Sequence, residues 1–144
     1  IYDLKTLATL NLSKNKIADI SGLKDMPAIT TLNLSENKVS DVTDMGTKFT
    51  TLTTLDLSKN EIVEVAGLNG LKSLTSINLS DNKIKSVADL ALAFDPEKLT
   101  TLNLSGNSEI NDWSKITTIY KSVTGKPSSS ESSEASSDSS DTSK

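Results

Sequence analysis

The chain contains no histidine, no cysteine and no arginine. Without histidine and cysteine it has no Ser-His-Asp triad, no cysteine nucleophile and no zinc site of the usual nitrogen and sulfur type. The missing arginine excludes a bidentate guanidinium clamp on phosphate or carboxylate groups. Disulfide bonds are excluded as well, so the cellular compartment cannot be read from redox chemistry. We therefore expect no enzyme activity, no cofactor and no metal ion.

Charge imbalance and long hydrophobic runs are also lacking. The 144 residues carry a formal net charge of -4, whereas nucleic-acid binding needs a basic stripe. No apolar run approaches the ~18 residues of a membrane-spanning helix. The length favours a single domain, for which we expect a monomer that neither binds nucleic acid nor inserts into a membrane. The first residue is not methionine, so a fragment of a longer protein is expected.

The C-terminal end differs in composition from the rest. Residues 128–144 include ten serines and no apolar side chain larger than alanine. Such a segment buries too little surface to offset its conformational entropy. The sequence therefore predicts a disordered Ser-rich acidic linker or stalk over residues 126–144.

A repeat of about 22 residues dominates what is left. Its frame is L-x-x-L-x-L-x-x-N-x-I, as in LATLNLSKNKI and LTTLDLSKNEI. Five asparagines mark the repeats: Asn15, Asn37, Asn60, Asn82 and Asn107. An amide side chain both donates and accepts hydrogen bonds. The predicted role of this Asn ladder is to satisfy backbone groups in the loop that leaves each strand.

The alternation of leucines predicts a short strand in each repeat, with the strands paired in parallel. After the asparagine, apolar residues recur every third position, which suits a 3₁₀ turn rather than a long α-helix. The predicted inward residues are Leu10, Leu12, Leu32, Leu34, Leu55, Leu57, Ile77, Leu79, Leu102 and Leu104.

This frame resembles the bacterial leucine-rich repeat of the internalins and their relatives on Gram-positive surfaces. The resemblance implies an α/β horseshoe solenoid, with short parallel strands on a concave protein-binding face and 3₁₀ or short helical turns on the convex face. It covers residues 1–110, as five repeats preceded by a truncated one. Residues 111–125 are then a C-terminal closing segment.

The outward strand positions predict the candidate binding face. They form a threonine, an asparagine and a serine column without any aromatic side chain. Their hydroxyl and amide groups either satisfy one another across the rungs or bind a glycan or another polar ligand. The residues are Thr9, Asn11, Ser13, Thr31, Asn33, Ser35, Thr54, Asp56, Ser58, Ser76, Asn78, Ser80, Thr101, Asn103 and Ser105.

Two further columns carry charge. The residues at the strand exits alternate in sign and predict a ladder of weak exposed ion pairs. They are Lys14, Glu36, Lys59, Asp81 and Gly106. A second column, Asp19, Asp41, Glu64 and Ser86, either attracts Ca²⁺ or caps short helical turns. Capping is the favoured interpretation, so we assign no metal site.

Irregular repeats break the pattern in three places. Residues 45–49 add one residue and residues 88–98 add three, with a short helix predicted before Pro96 and with Phe49 and Phe94 turned inward. Near the C-terminus, Ile116, Ile119, Tyr120 and Val123 follow helical spacing. This spacing predicts a helix that begins near Asp112 or Ser114 and ends at Gly125, although the adjacent Thr117 and Thr118 also suit a degenerate strand. Trp113 is the predicted lid of the last rung, with a ligand platform as the alternative.

These observations together predict a non-catalytic interaction module of a bacterial cell-surface protein. Its role would be adhesion, or contact with a host or the cell wall, through a protein or glycan ligand. One alternative is an intracellular, cytoplasmic scaffold of the phosphatase-regulator type. The other is a structural spacer for a further domain.

Overall fold

The repeats form one parallel sheet in a computed structural model of the protein, which describes residues 4–23 and 26–127. The sheet has six strands, and their spatial order is their order in the chain. Strands β1 to β6 are Thr9–Asn11, Thr31–Asn33, Thr54–Asp56, Ser76–Asn78, Thr101–Asn103 and Val123–Thr124. This arrangement confirms the predicted leucine-rich-repeat solenoid. The predicted linker at residues 126–144 falls outside the described residues from Ser128 onward.

The core consists of leucine columns that run through the rungs. Leu32, Leu55, Ile77 and Leu102 are paired in register on adjacent strands and are at most 1% exposed. Full burial of such a side chain contributes about 1.5–3 kcal/mol. Because one leucine cannot be enclosed within its own short strand, the neighbouring rungs supply the missing contacts.

The first rung is less enclosed than the others. Leu10 and Leu12 are only half-buried, whereas their counterparts Leu32 and Leu34 are fully buried. Rung β1 has a described neighbour on one side only, so its leucines keep part of their surface exposed. The predicted inward orientation therefore gives full burial only in the inner rungs.

The convex side is made of short turns. Helix α1 spans Met45–Lys48, and two 3₁₀ helices span Ala66–Leu68 and Ala88–Leu90. The apolar spacing of three thus predicted the type of turn correctly. Phe49 and Phe94 are 2% and 1% exposed, which confirms that both fill the convex core.

The longest insertion contains the short helix predicted before Pro96. It is the three-residue 3₁₀ helix Ala88–Leu90, and turns follow it. Leu92 lies on this segment and is 76% exposed. The Tyr120 hydroxyl donates a hydrogen bond to the Leu90 carbonyl and so occupies an acceptor that a continuing α-helix would use.

The C-terminal helix prediction was wrong beyond its first turn. Helix α2 covers only Ser114–Thr117, and Val123 lies in β6, paired with Leu102 of β5. Gly125 has a φ of +111°, and a β-carbon there would lie 2.4 Å from the Ser105 nitrogen. A strand that passes β5 this closely needs glycine at that position.

Two residues of the closing segment differ in outcome: Asp112 takes a role other than the predicted cap, whereas Trp113 is buried in the core, as expected for the predicted lid of the last rung. The Asp112 carboxylate does not cap α2 but accepts hydrogen bonds from the Ser86 hydroxyl at 2.6 Å and the Val87 N–H at 3.0 Å. Trp113 is 8% exposed, so its ring is buried in the closing segment and does not form a ligand platform. Within the described residues, its indole nitrogen has no hydrogen-bond partner.

Candidate binding face

Two columns of polar side chains lie side by side on the outer surface of the sheet. Each of the strands β1 to β5 places one threonine or serine and, two residues on, one asparagine or aspartate on the side opposite its central leucine or isoleucine. We call this surface the concave face. Its columns, aligned by strand register, are Thr9, Thr31, Thr54, Ser76 and Thr101, and Asn11, Asn33, Asp56, Asn78 and Asn103.

The polar groups of these columns are only partly used by the protein. Within the described part of the chain, the hydroxyls of Thr31, Thr54 and Ser76 and the amide nitrogens of Asn33 and Asn78 have no hydrogen-bond partner. These side chains are half-buried and stand about 4.8 Å apart along each column. The face therefore presents a regular array of unpaired donors and acceptors on a rigid sheet.

The third predicted column does not belong to this face. Ser35, Ser58 and Ser80 are only 9%, 8% and 7% exposed, and Ser13 and Ser105 are half-buried. All five lie just beyond the strands, where the chain turns away from the sheet. This corrects the prediction that the serine hydroxyls line the concave surface.

The side-chain oxygens of the asparagine column accept hydrogen bonds from their own rung and not from the neighbouring rungs. In every repeat the serine N–H donates to the side-chain oxygen two residues earlier, at 3.0 Å, as from Ser35 to Asn33 and from Ser58 to Asp56. The Ser58 hydroxyl donates to the same Asp56 oxygen at 2.7 Å. The asparagine column thus shapes the turn with one atom and leaves its other polar atom outward.

A side-chain ladder between rungs lies one residue before each outward threonine or serine of β2 to β5, and the repeat pattern alone did not predict it. The hydroxyls of Thr30, Thr53, Thr75 and Thr100 each donate to a backbone carbonyl of the preceding rung. The sequence signal for this ladder is a repeated pair of hydroxyl residues, in which the second residue begins each of the strands β2 to β5. The first member of each pair binds the neighbouring rung, and the second member faces outward.

The strand exits do not form the predicted ion-pair ladder. Among residues 4–23 and 26–127, the one ion pair joins Lys85 and Glu109 at 3.8 Å, and both side chains are exposed. The five exit residues share a left-handed backbone instead, with φ values from +57° to +78°. They are Lys14, Glu36, Lys59, Asp81 and Gly106. Their conformation bends the chain out of the sheet, a constraint that charge patterning does not reveal.

The Asn ladder connects consecutive rungs beneath the turn. The Asn60 amide nitrogen donates to the carbonyls of Leu34, Leu57 and Ser58 at 2.9–3.1 Å, and its oxygen accepts the Val39 N–H at 2.9 Å. Asn37, Asn82 and Asn107 repeat this arrangement. Asn15, in the first rung, donates only to carbonyls of its own rung. These amides are engaged with backbone groups and are not presented to a ligand.

Two members of the predicted acidic column, Asp19 and Asp41, cap turns, whereas the 3₁₀ helix after Glu64 has no side-chain cap. Asp19 and Asp41 accept the N–H groups of Ser21 and Thr43 at 2.9 and 2.8 Å. Side-chain and then backbone hydrogen bonds from Ser21 and Thr43 lower the pKa of the two carboxyl groups. Both aspartates border a shallow depression that is also lined by Lys48. In the part of the chain that the structure describes, no three His, Cys, Asp or Glu side chains converge to hold a metal ion.

Comparison with known protein families gives two matches along the chain. The profile described as Leucine Rich repeats (2 copies) matches residues 5–45 and 50–92, more than half of the sequence. The profile described as Leucine Rich repeat matches residues 96–112. Curated protein sequences give no match.

Solved structures include similar proteins from Listeria monocytogenes. Internalin C2 is 26% identical with a TM-score of 0.74, and the match covers 83% of this chain and 52% of that protein. A second internalin (inlF) is 20% identical with a TM-score of 0.49, covering 94% and 62%. The chain therefore spans about half the length of internalin C2, and it shares the internalin-like repeat architecture of a bacterial protein. None of the described helices has the length and apolar character needed to cross a membrane.

Proposed function

The chain belongs to the leucine-rich repeat family, and we propose that it is a non-catalytic module that binds a protein partner through its concave face. Leucine-rich repeats generally act as protein-interaction modules rather than as enzymes. One observation carries the choice of face: among residues 4–23 and 26–127, the hydroxyl of Thr31 and the amide nitrogen of Asn78, on the in-register columns, have no hydrogen-bond partner. The carboxylates of Asp19 and Asp41, which lie outside this face, instead accept hydrogen bonds from backbone N–H groups of the turns.

Blocking the concave face tests this proposal. The protein is used to select ligands from displayed libraries of random peptides and small folded domains. We expect the double variant Thr31→Trp, Asn78→Trp to lose these ligands, because two indoles, on β2 and β4 at either side of the central strand β3, cover donors and acceptors of the array. The control is Thr47→Trp, which adds an indole at an exposed position of α1 on the convex side. Ligands that bind the double variant as well as the wild type would place the site elsewhere.

We further propose that the module belongs to a surface or secreted protein of a bacterium, with adhesion or contact with a host or the cell wall as its role. The internalin-like repeat architecture supports this assignment. Trypsin treatment of intact source cells tests it, because Lys121 precedes the Ser-rich segment and gives recognisable peptides. Peptides released from unlysed cells support an external location. Peptides found only after lysis contradict it and favour an intracellular scaffold.

A further inference from the structure

One carboxylate interrupts the otherwise uncharged concave face. The second column has asparagine in four of its five rungs and Asp56 in the middle one. Its register partners are Asn33 on β2 and Asn78 on β4. Asp56 therefore lies at the centre of the array, with neutral amides on both sides of it.

The fold does not require a negative charge at this position. In all five rungs the side-chain oxygen of this residue accepts the N–H of the serine two residues on, at 3.0 Å. The additional serine hydroxyl bond of Asp56 is also made by Asn103, to Ser105 at 2.8 Å. Asparagine satisfies every structural contact that aspartate makes here, so the carboxylate adds only charge and a second acceptor oxygen.

That second oxygen is available. Both serine contacts of Asp56 go to Oδ1, and within the described residues Oδ2 has no hydrogen-bond partner. Lys59, three residues on, forms no ion pair with it there. Asp56 is half-buried, so the carboxylate is partly removed from water without a compensating cation. A cationic group of a bound partner would supply that compensation and would be attracted to this rung.

We propose that Asp56 is the specificity-determining residue of the concave face and that it selects a protein partner presenting a lysine or arginine side chain to the central rung. This inference rests on the proposed function, because it needs a partner on the concave face. The amide nitrogens of Asn33 and Asn78 donate to carbonyl groups that flank the cation on the partner. The uniform rungs alone do not define where along the columns a partner binds. The cation thereby sets the register of the partner.

Two matched peptide libraries test this inference. Each is random, but without lysine or arginine, except at a fixed central position, which is lysine in one library and the uncharged acetyl-lysine in the other. We expect ligands from the lysine library only, with affinity lowered about tenfold or more by Asp56→Asn. This variant is expected to fold normally, since asparagine occupies the same site in the other rungs. The control Asp81→Asn removes an equal charge from an exposed exit residue and should leave affinity within a factor of about two.

The outcomes separate the two proposals. Ligands that the Thr31→Trp, Asn78→Trp variant blocks but that bind Asp56→Asn and wild type equally overturn the role of Asp56 and leave the concave face as the binding site. Equal recovery of lysine and acetyl-lysine ligands also overturns it. Libraries that give no ligand sensitive to the tryptophan pair contradict both proposals.

Discussion

The Tyr120 hydroxyl donates a hydrogen bond of 2.5 Å to the carbonyl of Leu90, thirty residues earlier in the chain. The same hydroxyl accepts the N–H of Phe94 at 3.2 Å. An α-helix would join the Leu90 carbonyl and the Phe94 N–H directly, so Tyr120 replaces one helical hydrogen bond with two of its own. The closing segment thereby determines the conformation of the longest insertion.

Removing this hydroxyl should destabilise the protein. In Tyr120→Phe the Phe94 N–H loses its partner inside the fold and the Leu90 carbonyl keeps only the Ala93 N–H, at a cost of about 1–2 kcal/mol in the free energy of unfolding. Urea denaturation measures the change. The control Thr118→Val removes an exposed hydroxyl from the same segment and should have almost no effect. Equal stability of Tyr120→Phe and wild type would show that the bond contributes nothing.

The Asn ladder should contribute more in the middle of the solenoid than at its first rung. Asn60→Ala leaves the Val39 N–H without its acceptor and removes one amide donor from each of three carbonyls, which should cost about 1–3 kcal/mol. Asn15→Ala is the matched control, because the exposed Asn15 binds only two carbonyls of its own rung. Thermal melts of both variants should show a clearly larger decrease for Asn60. A decrease of the same size would contradict the role of the inter-rung contacts.

The left-handed strand exits offer a stabilising substitution. Lys59 has a φ of +58°, a conformation that asparagine adopts at lower cost than lysine. Lys59→Asn should therefore raise the free energy of unfolding by about 0.5–1 kcal/mol. Lys83→Asn tests the cause, because Lys83 is exposed and has no positive φ. If both variants gain stability equally, charge removal and not the backbone is the reason.

A close backbone approach makes Gly46 of α1 irreplaceable. A β-carbon at this position would lie 1.8 Å from the carbonyl oxygen of Asn69 on the next repeat. Gly46→Ala should force the two turns apart and lower the free energy of unfolding by about 2 kcal/mol or more. Gly22→Ala is the control, since no atom lies within 4 Å of the added methyl group. Calorimetric melting temperatures compare the two, and a tolerated Gly46→Ala would rule out the close contact.

Acid should weaken the link between Asp112 and the turn at Ser86. Burial alone would raise the pKa of Asp112, but hydrogen bonds from Ser86 and the Val87 N–H outweigh it and lower the pKa below 3.8. A lowered folded-state pKa stabilises the protein above the unfolded value, and this contribution disappears as the pH falls through the folded value. Wild type should therefore exceed Asp112→Asn by about 1 kcal/mol near neutral pH, a small difference because solvent screens the group.

Urea titrations at a series of pH values measure this difference. It should shrink as the pH drops below 3.8 and should be unchanged between neutral pH and about pH 5. The control is Asp89→Asn, which removes an exposed carboxylate from the neighbouring 3₁₀ helix and leaves the hydrogen bonds of Asp112 in place. A difference that stays constant down to the lowest pH would show that the charge of Asp112 is not involved.

The candidate face was only partly predictable from the sequence. The period of two along each strand identified the threonine and asparagine columns, because alternation alone decides which side chains oppose a buried leucine. Continuing the same alternation by two residues also assigned Ser35, Ser58 and Ser80 to the face, although these serines are buried. The strand ends before these residues, and only the backbone conformation at the exits shows where it ends.

The sequence by itself determined the solenoid, the order of its strands and the inward leucines. Its period of about 22 residues makes each rung bury the apolar side chains of the next, and no other stacking satisfies every repeat. Only the tertiary structure decided the left-handed exits, the two-residue strand β6 and the turns that follow Leu90 in the longest insertion. These features depend on contacts between residues far apart in the chain, such as Tyr120 with Leu90, which local periodicity does not encode.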